Sequence, residues 1–159
     1  MVMIYSHKKT INNQEGAAMI EFAIILPLLL LLIFGIIEFS LFLYNKQVIT
    51  NAAREGARRG VIMRSDRDVV AEDAEIIARV NEFARSYLIT FGDDTFDTVN
   101  DIGDVIITNG TSPPPRVFAD LKFGTDLTVE ANFLYDFLFL STAGIGPINL
   151  TSVATMKME

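Results

Sequence analysis

Cysteine is absent from this 159-residue chain, and histidine occurs once, as His7. The first absence excludes disulfides, thiolate metal sites and cysteine nucleophiles. The second leaves everything after the N-terminal segment without a histidine for a catalytic triad or a histidine-rich metal centre. No glycine-rich phosphate loop is present. Positive charge is in deficit: 13 Lys and Arg stand against 20 Asp and Glu, a net charge of −7. That balance gives no footprint for nucleic acid. Together these gaps argue against an enzyme, and no cofactor or resident metal is expected.

Apolar surface, by contrast, is abundant. Half of the residues are hydrophobic and the mean hydropathy is positive, which a soluble domain of this size seldom shows. No residue from Phe22 to Ile37 is charged, and the wider segment 17–43 spans 27 residues interrupted only by Glu21 and Glu38. Such a length crosses a hydrocarbon core of about 30 Å, so the lipid bilayer is an expected partner. The two carboxylates are 17 positions apart. On a helix that is about 25 Å, which places each near one interface. A carboxylate inside a span costs about 2.5–3.5 kcal/mol on insertion scales, so Glu21 calls for a partner. A free amine a few positions upstream on a neighbouring subunit would be one. Pro27 falls inside the run, where it introduces a bend, either a simple kink or one needed for packing in an assembly.

A cleaved secretory signal has a shorter apolar region and a small-x-small site after it. Neither is found here, so the span is read as retained. The helix is expected to continue to about Met63, nearly 70 Å in all from Ala17. Along Asn45–Met63, small and apolar residues recur every three or four positions, with Ala52, Gly56 and Gly60 in one row. That row admits close approach of another backbone, from the body of the same chain or from a second subunit. Ser65 and Asp68 approximate a capping box for a second, amphipathic helix that ends near Gly92. Short strands are expected at Asp104–Thr108, Val117–Phe123, Leu127–Phe133 and Ile148–Met158. The Phe133–Leu140 run reads as core strand or as a loop tucked under the sheet. Asn109–Pro115 must be a loop, because three consecutive prolines cannot feed a sheet ladder. The expected organisation is a leader (1–16), a transmembrane helix (17–43), a helix extension (44–64) and an α+β domain (65–159) with the second helix packed on a small antiparallel sheet.

Little chemistry is suggested beyond the anchor. Asp93, Asp94, Asp97, Asp101 and Asp104 lack the spacing of a calcium loop and read as solvated, with a weak cation site as the alternative. The sequons at Asn109 and Asn149 read as chance matches. Charge leaves topology open. Lys8 and Lys9 precede the span, whereas Lys46, Arg54, Arg58, Arg59, Arg64 and Arg67 follow it, and a direct count puts the body on the cytoplasmic side. Beyond Asp68, however, 14 acidic residues face five basic ones.

Three stretches carry a family resemblance. These are Gly16-Ala-Ala-Met-Ile-Glu-Phe-Ala-Ile-Ile-Leu-Pro, Gly35-Ile-Ile-Glu-Phe and Asn51-Ala-Ala-Arg-Glu-Gly-Ala-Arg58. With the ending Asn149–Glu159, they resemble the TadE-like proteins of the tight adherence (Tad/Flp) pilus machinery. The resemblance implies a minor pilin or pseudopilin of the bacterial inner membrane, with a cytoplasmic leader and an extracytoplasmic body. It also implies cleavage between Gly16 and Ala17 by a prepilin peptidase. Glu21 then becomes the fifth mature residue, able to pair with the Ala17 amine of an adjacent subunit, and Pro27 and Glu38 join it as assembly residues. Partners would be other pilins and the Tad inner-membrane platform. Glu15 departs from the basic residue common before the cleaved glycine. The alternative is an unprocessed single-pass anchor carrying an extracytoplasmic scaffold or binding domain.

Overall fold

The computed structural model describes residues 13–62, 68–90, 103–109 and 123–158. Most of the leader, Ser65, the acidic run 93–102 and the proline-rich segment 110–122 lie outside the described residues, and with them the strand expected from Val117. Among the described residues the chain forms helix α1 (Asn13–Gly60), helix α2 (Val69–Tyr87) and strands β1 (Gly103–Asn109), β2 (Asp126–Tyr135) and β3 (Ile148–Lys157). A 3-10 turn covers Leu140–Ala143. The architecture is α+β, as expected. The described residues fall into two units, 1–37 and 38–159, and α1 contributes to both.

In the first unit α1 is a bare apolar helix. Pro27 is carried within it without ending it. Ile20, Phe22, Ile24, Leu28 and Leu31 are all more than half exposed, so this stretch has no protein core of its own.

The second unit is a three-stranded antiparallel sheet, in the order β1-β2-β3, with both helices contributing to its core. Strand β2 alternates strictly: Leu127, Val129, Ala131, Phe133 and Tyr135 face inward, while Asp126, Thr128, Glu130, Asn132 and Leu134 face out. This period of two is the reason it folds as a half-buried strand. It pairs in register with β3, Val129 opposite Ala154 and Phe133 opposite Leu150. A bulge between Gly103 and Val105 interrupts its pairing with β1. Val48, Ile49, Ala52, Ala53 and Ala57 of α1 join Ile76, Val80 and Ala84 of α2 against the inward sheet residues.

Two helix ends differ from the sequence reading. Asp68 itself caps α2, its side chain accepting from Val70 N at 3.0 Å, in place of the box expected from Ser65. At the other end α2 stops at Tyr87 rather than near Gly92. Leu88 turns to extended backbone, and the next residue is held by a tertiary contact described below.

The small-residue row sits where side chains of α2 and β2 press against the backbone of α1. A Cβ on Gly56 would lie 2.4 Å from Val80 Cγ2, and one on Gly60 would lie 2.5 Å from Leu127 Cδ2 and 2.6 Å from Ile76 Cδ1. Val80, Leu127 and Ile76 are fully buried and cannot withdraw into solvent. Overpacking of this kind costs about 1–3 kcal/mol, and a β-branched residue recovers little through helix propensity. Gly56→Val is therefore expected to lower the stability of the body by about 2 kcal/mol or more, read as a fall in the thermal midpoint of the detergent-solubilised chain by circular dichroism. An unchanged midpoint would mean that α1 is not packed this closely.

Candidate functional site

The α1 residues facing the body follow one stripe: Glu38, Phe42, Asn45, Ile49, Ala52, Gly56 and Gly60, each three or four positions from the last. Its C-terminal part is small and apolar. Its first two buried polar members bind the body's backbone.

Glu38 is 3 % exposed despite standing in the apolar segment. Its Oε1 accepts from the backbone N–H of Leu138 at 2.8 Å and from the Tyr135 hydroxyl at 3.2 Å, and its Oε2 accepts from the N–H of Phe139 at 2.8 Å. Both oxygens are thus satisfied by the segment leaving β2. Aromatic rings surround the contact. Phe42 meets Tyr135 edge-on at 5.8 Å between centroids, and Phe137 does so at 5.4 Å. The aromatic run expected as core strand or tucked loop divides here: Phe133 and Tyr135 are buried in β2, while Phe137 and Phe139 beyond it are half-buried. Burial, and then the negative charge and hydrogen bond of Glu38, push the Tyr135 hydroxyl up to about 12.

Asn45 is fully buried, two turns further along. Its Nδ2 donates to Ile89 O at 2.7 Å and its Oδ1 accepts from Ile89 N at 3.0 Å. One side-chain amide therefore takes both backbone groups of Ile89, two residues past the end of α2. Nearby, Lys46 Nζ donates to Thr151 O on β3, and Ser152 Oγ donates to Thr50 Oγ1 at 3.1 Å.

Past these contacts the helices are braced by charge. Glu55 bonds Arg58 at 3.1 Å and Arg79 at 2.9 Å, Arg79 also bonds Glu82 at 2.8 Å, and Arg59 bonds Glu75 at 2.9 Å. Hydrogen bonds from Arg58 and then Arg79 hold the Glu55 carboxyl below the ordinary carboxylate range. The open cleft of about 550 Å³ between these residues carries matched charges, and exposed pairs of this kind contribute about 0–1 kcal/mol each. The ion pairs around it brace α1 against α2.

The residues singled out from sequence are distributed along α1. Gly16, Ala17 and Glu21 are exposed in the apolar unit, and Glu21 has no partner among the described residues. Ala52, Gly56 and Gly60 are buried in the body. Asp104 lies in β1, while the other loop aspartates fall outside the described residues. Asn45, Lys46 and the partners of Glu38 were missed. Their sequence signal was phase, since Glu38 and Asn45 continue the small-residue stripe at helical spacing.

A helix this long, apolar and uncovered, followed by a small α+β body, fits a single-pass membrane protein. Residues 16–58 match the family model described as TadE-like protein, the family whose resemblance the sequence carries. No curated protein and no solved structure matches the chain.

Hydrogen bonds to a carboxylate contribute about 1.5–3 kcal/mol. Tyr135→Phe is expected to cost about 1.5 kcal/mol near neutral pH, and Glu38→Ala, which strands two backbone donors, about 3 kcal/mol. The sign with pH follows from the raised hydroxyl. Its contribution is complete below the ordinary tyrosine value of 10.0 and is lost as pH rises through about 12. Unfolding measured across that range should show a loss in the parent chain that Tyr135→Phe removes.

Proposed function

We propose that the chain is a minor pilin or pseudopilin of a Tad pilus system, acting in pilus biogenesis and adhesion. The family match over residues 16–58 supports association with the Tad pilus. The observation that carries the finer reading is Glu21, exposed within an uncovered apolar helix and five positions after Gly16.

In this reading prepilin peptidase cuts between Gly16 and Ala17. The body lies outside the bacterial inner membrane and the leader in the cytoplasm. Cleavage creates an Ala17 amine, and the Glu21 carboxylate of an adjacent subunit pairs with it. Each group offsets the other's cost in hydrocarbon, which favours assembly over the isolated anchor. Pro27 shapes the helix for packing with partner pilins on the inner-membrane platform. Of the two carboxylates in the span, Glu21 takes the intermolecular role. Glu38 serves assembly through the body it organises, since its oxygens are engaged within the chain.

Intact-mass measurement of the protein from membranes with an active peptidase is expected to place the mature N-terminus at Ala17. A full-length leader there would replace this reading with that of an unprocessed anchor bearing a scaffold domain. Glu21→Ala should insert normally yet sharply reduce piliation, and normal piliation in that variant would remove the pairing mechanism.

A further inference from the structure

We infer that the segment between β2 and β3 is a second membrane contact, which Glu38 holds down into the lipid interface beside α1. The inference rests on the single-pass reading of α1 and not on the pilin reading.

Position comes first. Tyr44, 44 % exposed, and Lys46 are the aromatic and basic residues at which the apolar run of α1 ends, the pairing typical of a bilayer boundary. Glu38 lies six residues to the apolar side of Tyr44, about 9 Å along the helix. Helical side chains lean toward the N-terminus, so the Glu38 carboxylate reaches no less deep than its own backbone. The N–H groups of Leu138 and Phe139 are both 2.8 Å from that carboxylate. The loop backbone is therefore fixed on the hydrocarbon side of the boundary.

Composition agrees with that placement. Between β2 and β3 the one charged residue is Asp136, at the start of the loop; Phe137 to Pro147 carries none. Its tip is built to present apolar side chains. Gly144, at φ 84°, closes the 3-10 turn through bonds from Gly144 N to Ser141 O at 3.0 Å and from Ile145 N to Leu140 O at 3.1 Å. This closure typically sets the flanking apolar residues side by side. Here they are Leu140 and Ile145, 37 % and 46 % exposed. Phe39 and Leu43 of α1 are exposed as well, so apolar surface is shared by helix and loop in the same unit. The polar groups that would make a loop costly in lipid are partly answered: Glu38 takes two N–H groups, and the Thr142 hydroxyl donates to Phe139 O at 2.6 Å.

The chain has no cysteine, so single-site labelling is direct. Leu140→Cys, Ile145→Cys, Leu31→Cys and Ile62→Cys, each made in the full chain, carry an environment-sensitive fluorophore in vesicles of phosphatidylethanolamine and phosphatidylglycerol. Leu31 reports the span, and Ile62 reports a point just past the end of α1, on the order of 35 Å from Glu38. Lipid-borne nitroxides are expected to quench the labels at 140 and 145 about twofold or more over the label at 62, with a shallower depth than at 31. Adding Glu38→Ala should lower quenching at 140 and leave it unchanged at 31. Labels at 140 and 145 open to aqueous iodide like that at 62 would overturn the inference. Protection from iodide without lipid quenching would also overturn it, because a protein would then cover the tip. Absence of lipid quenching at 31 would instead refute the membrane span.

Discussion

Burial of the small-residue stripe of α1 is the interaction on which the body depends. Among the described residues, a three-stranded sheet and one 19-residue helix leave the core open on one side without α1. The missing side is the C-terminal part of α1, where Ala52, Ala53 and Ala57 place the helix backbone against Val80, Ile76 and the inward face of β2. Gly56 and Gly60 permit this approach, because any Cβ there would enter the van der Waals envelope of a buried neighbour. Close packing gives dispersion contacts over a whole helical face, and that is why small residues contribute more here than large ones would.

The same helix must satisfy two surroundings. Its first unit presents large apolar side chains outward, and its second presents a narrow inward stripe with Arg54 and Arg58 exposed on other faces. The change falls between Glu38 and Asn45, where the stripe is polar. Each of these side chains binds backbone groups of a distant segment, Glu38 beyond β2 and Asn45 beyond α2. Apolar contacts tolerate sliding. Hydrogen bonds to two specific N–H groups do not, so Glu38 and Asn45 set the register of the body along α1. A carboxylate that is an expense in an isolated span is here the acceptor for backbone donors that would otherwise be stranded.

Much of the fold was legible because its periodicities are clean. Alternation along Leu127–Phe133 marks β2, and the three-four spacing of Ala52, Gly56 and Gly60 marks a packed helix face. The end of α2 was not legible. Apolar spacing runs on through Leu88, and what stops the helix is Asn45, 44 residues earlier in the chain. The candidate site was half legible for a related reason. Glu21 and Glu38 are alike in sequence, each a lone carboxylate followed by phenylalanine in an apolar run. Only their phase relative to the small-residue row separates them, and the partners of Glu38 are about 100 residues away.

By itself the sequence determined what depends on composition and local spacing: an apolar helix long enough to cross a bilayer, the absence of histidine and thiol chemistry from the body, the strand and helix periods, and the likeness carried by residues 16–58. Tertiary structure decided which of two similar carboxylates is satisfied within the chain, where α2 ends, and which backbone groups beyond β2 Glu38 binds. The division has a physical cause. Hydrophobic burial follows patterns written over neighbouring residues, whereas a hydrogen bond depends on where two distant backbones meet, and only the folded core fixes that meeting.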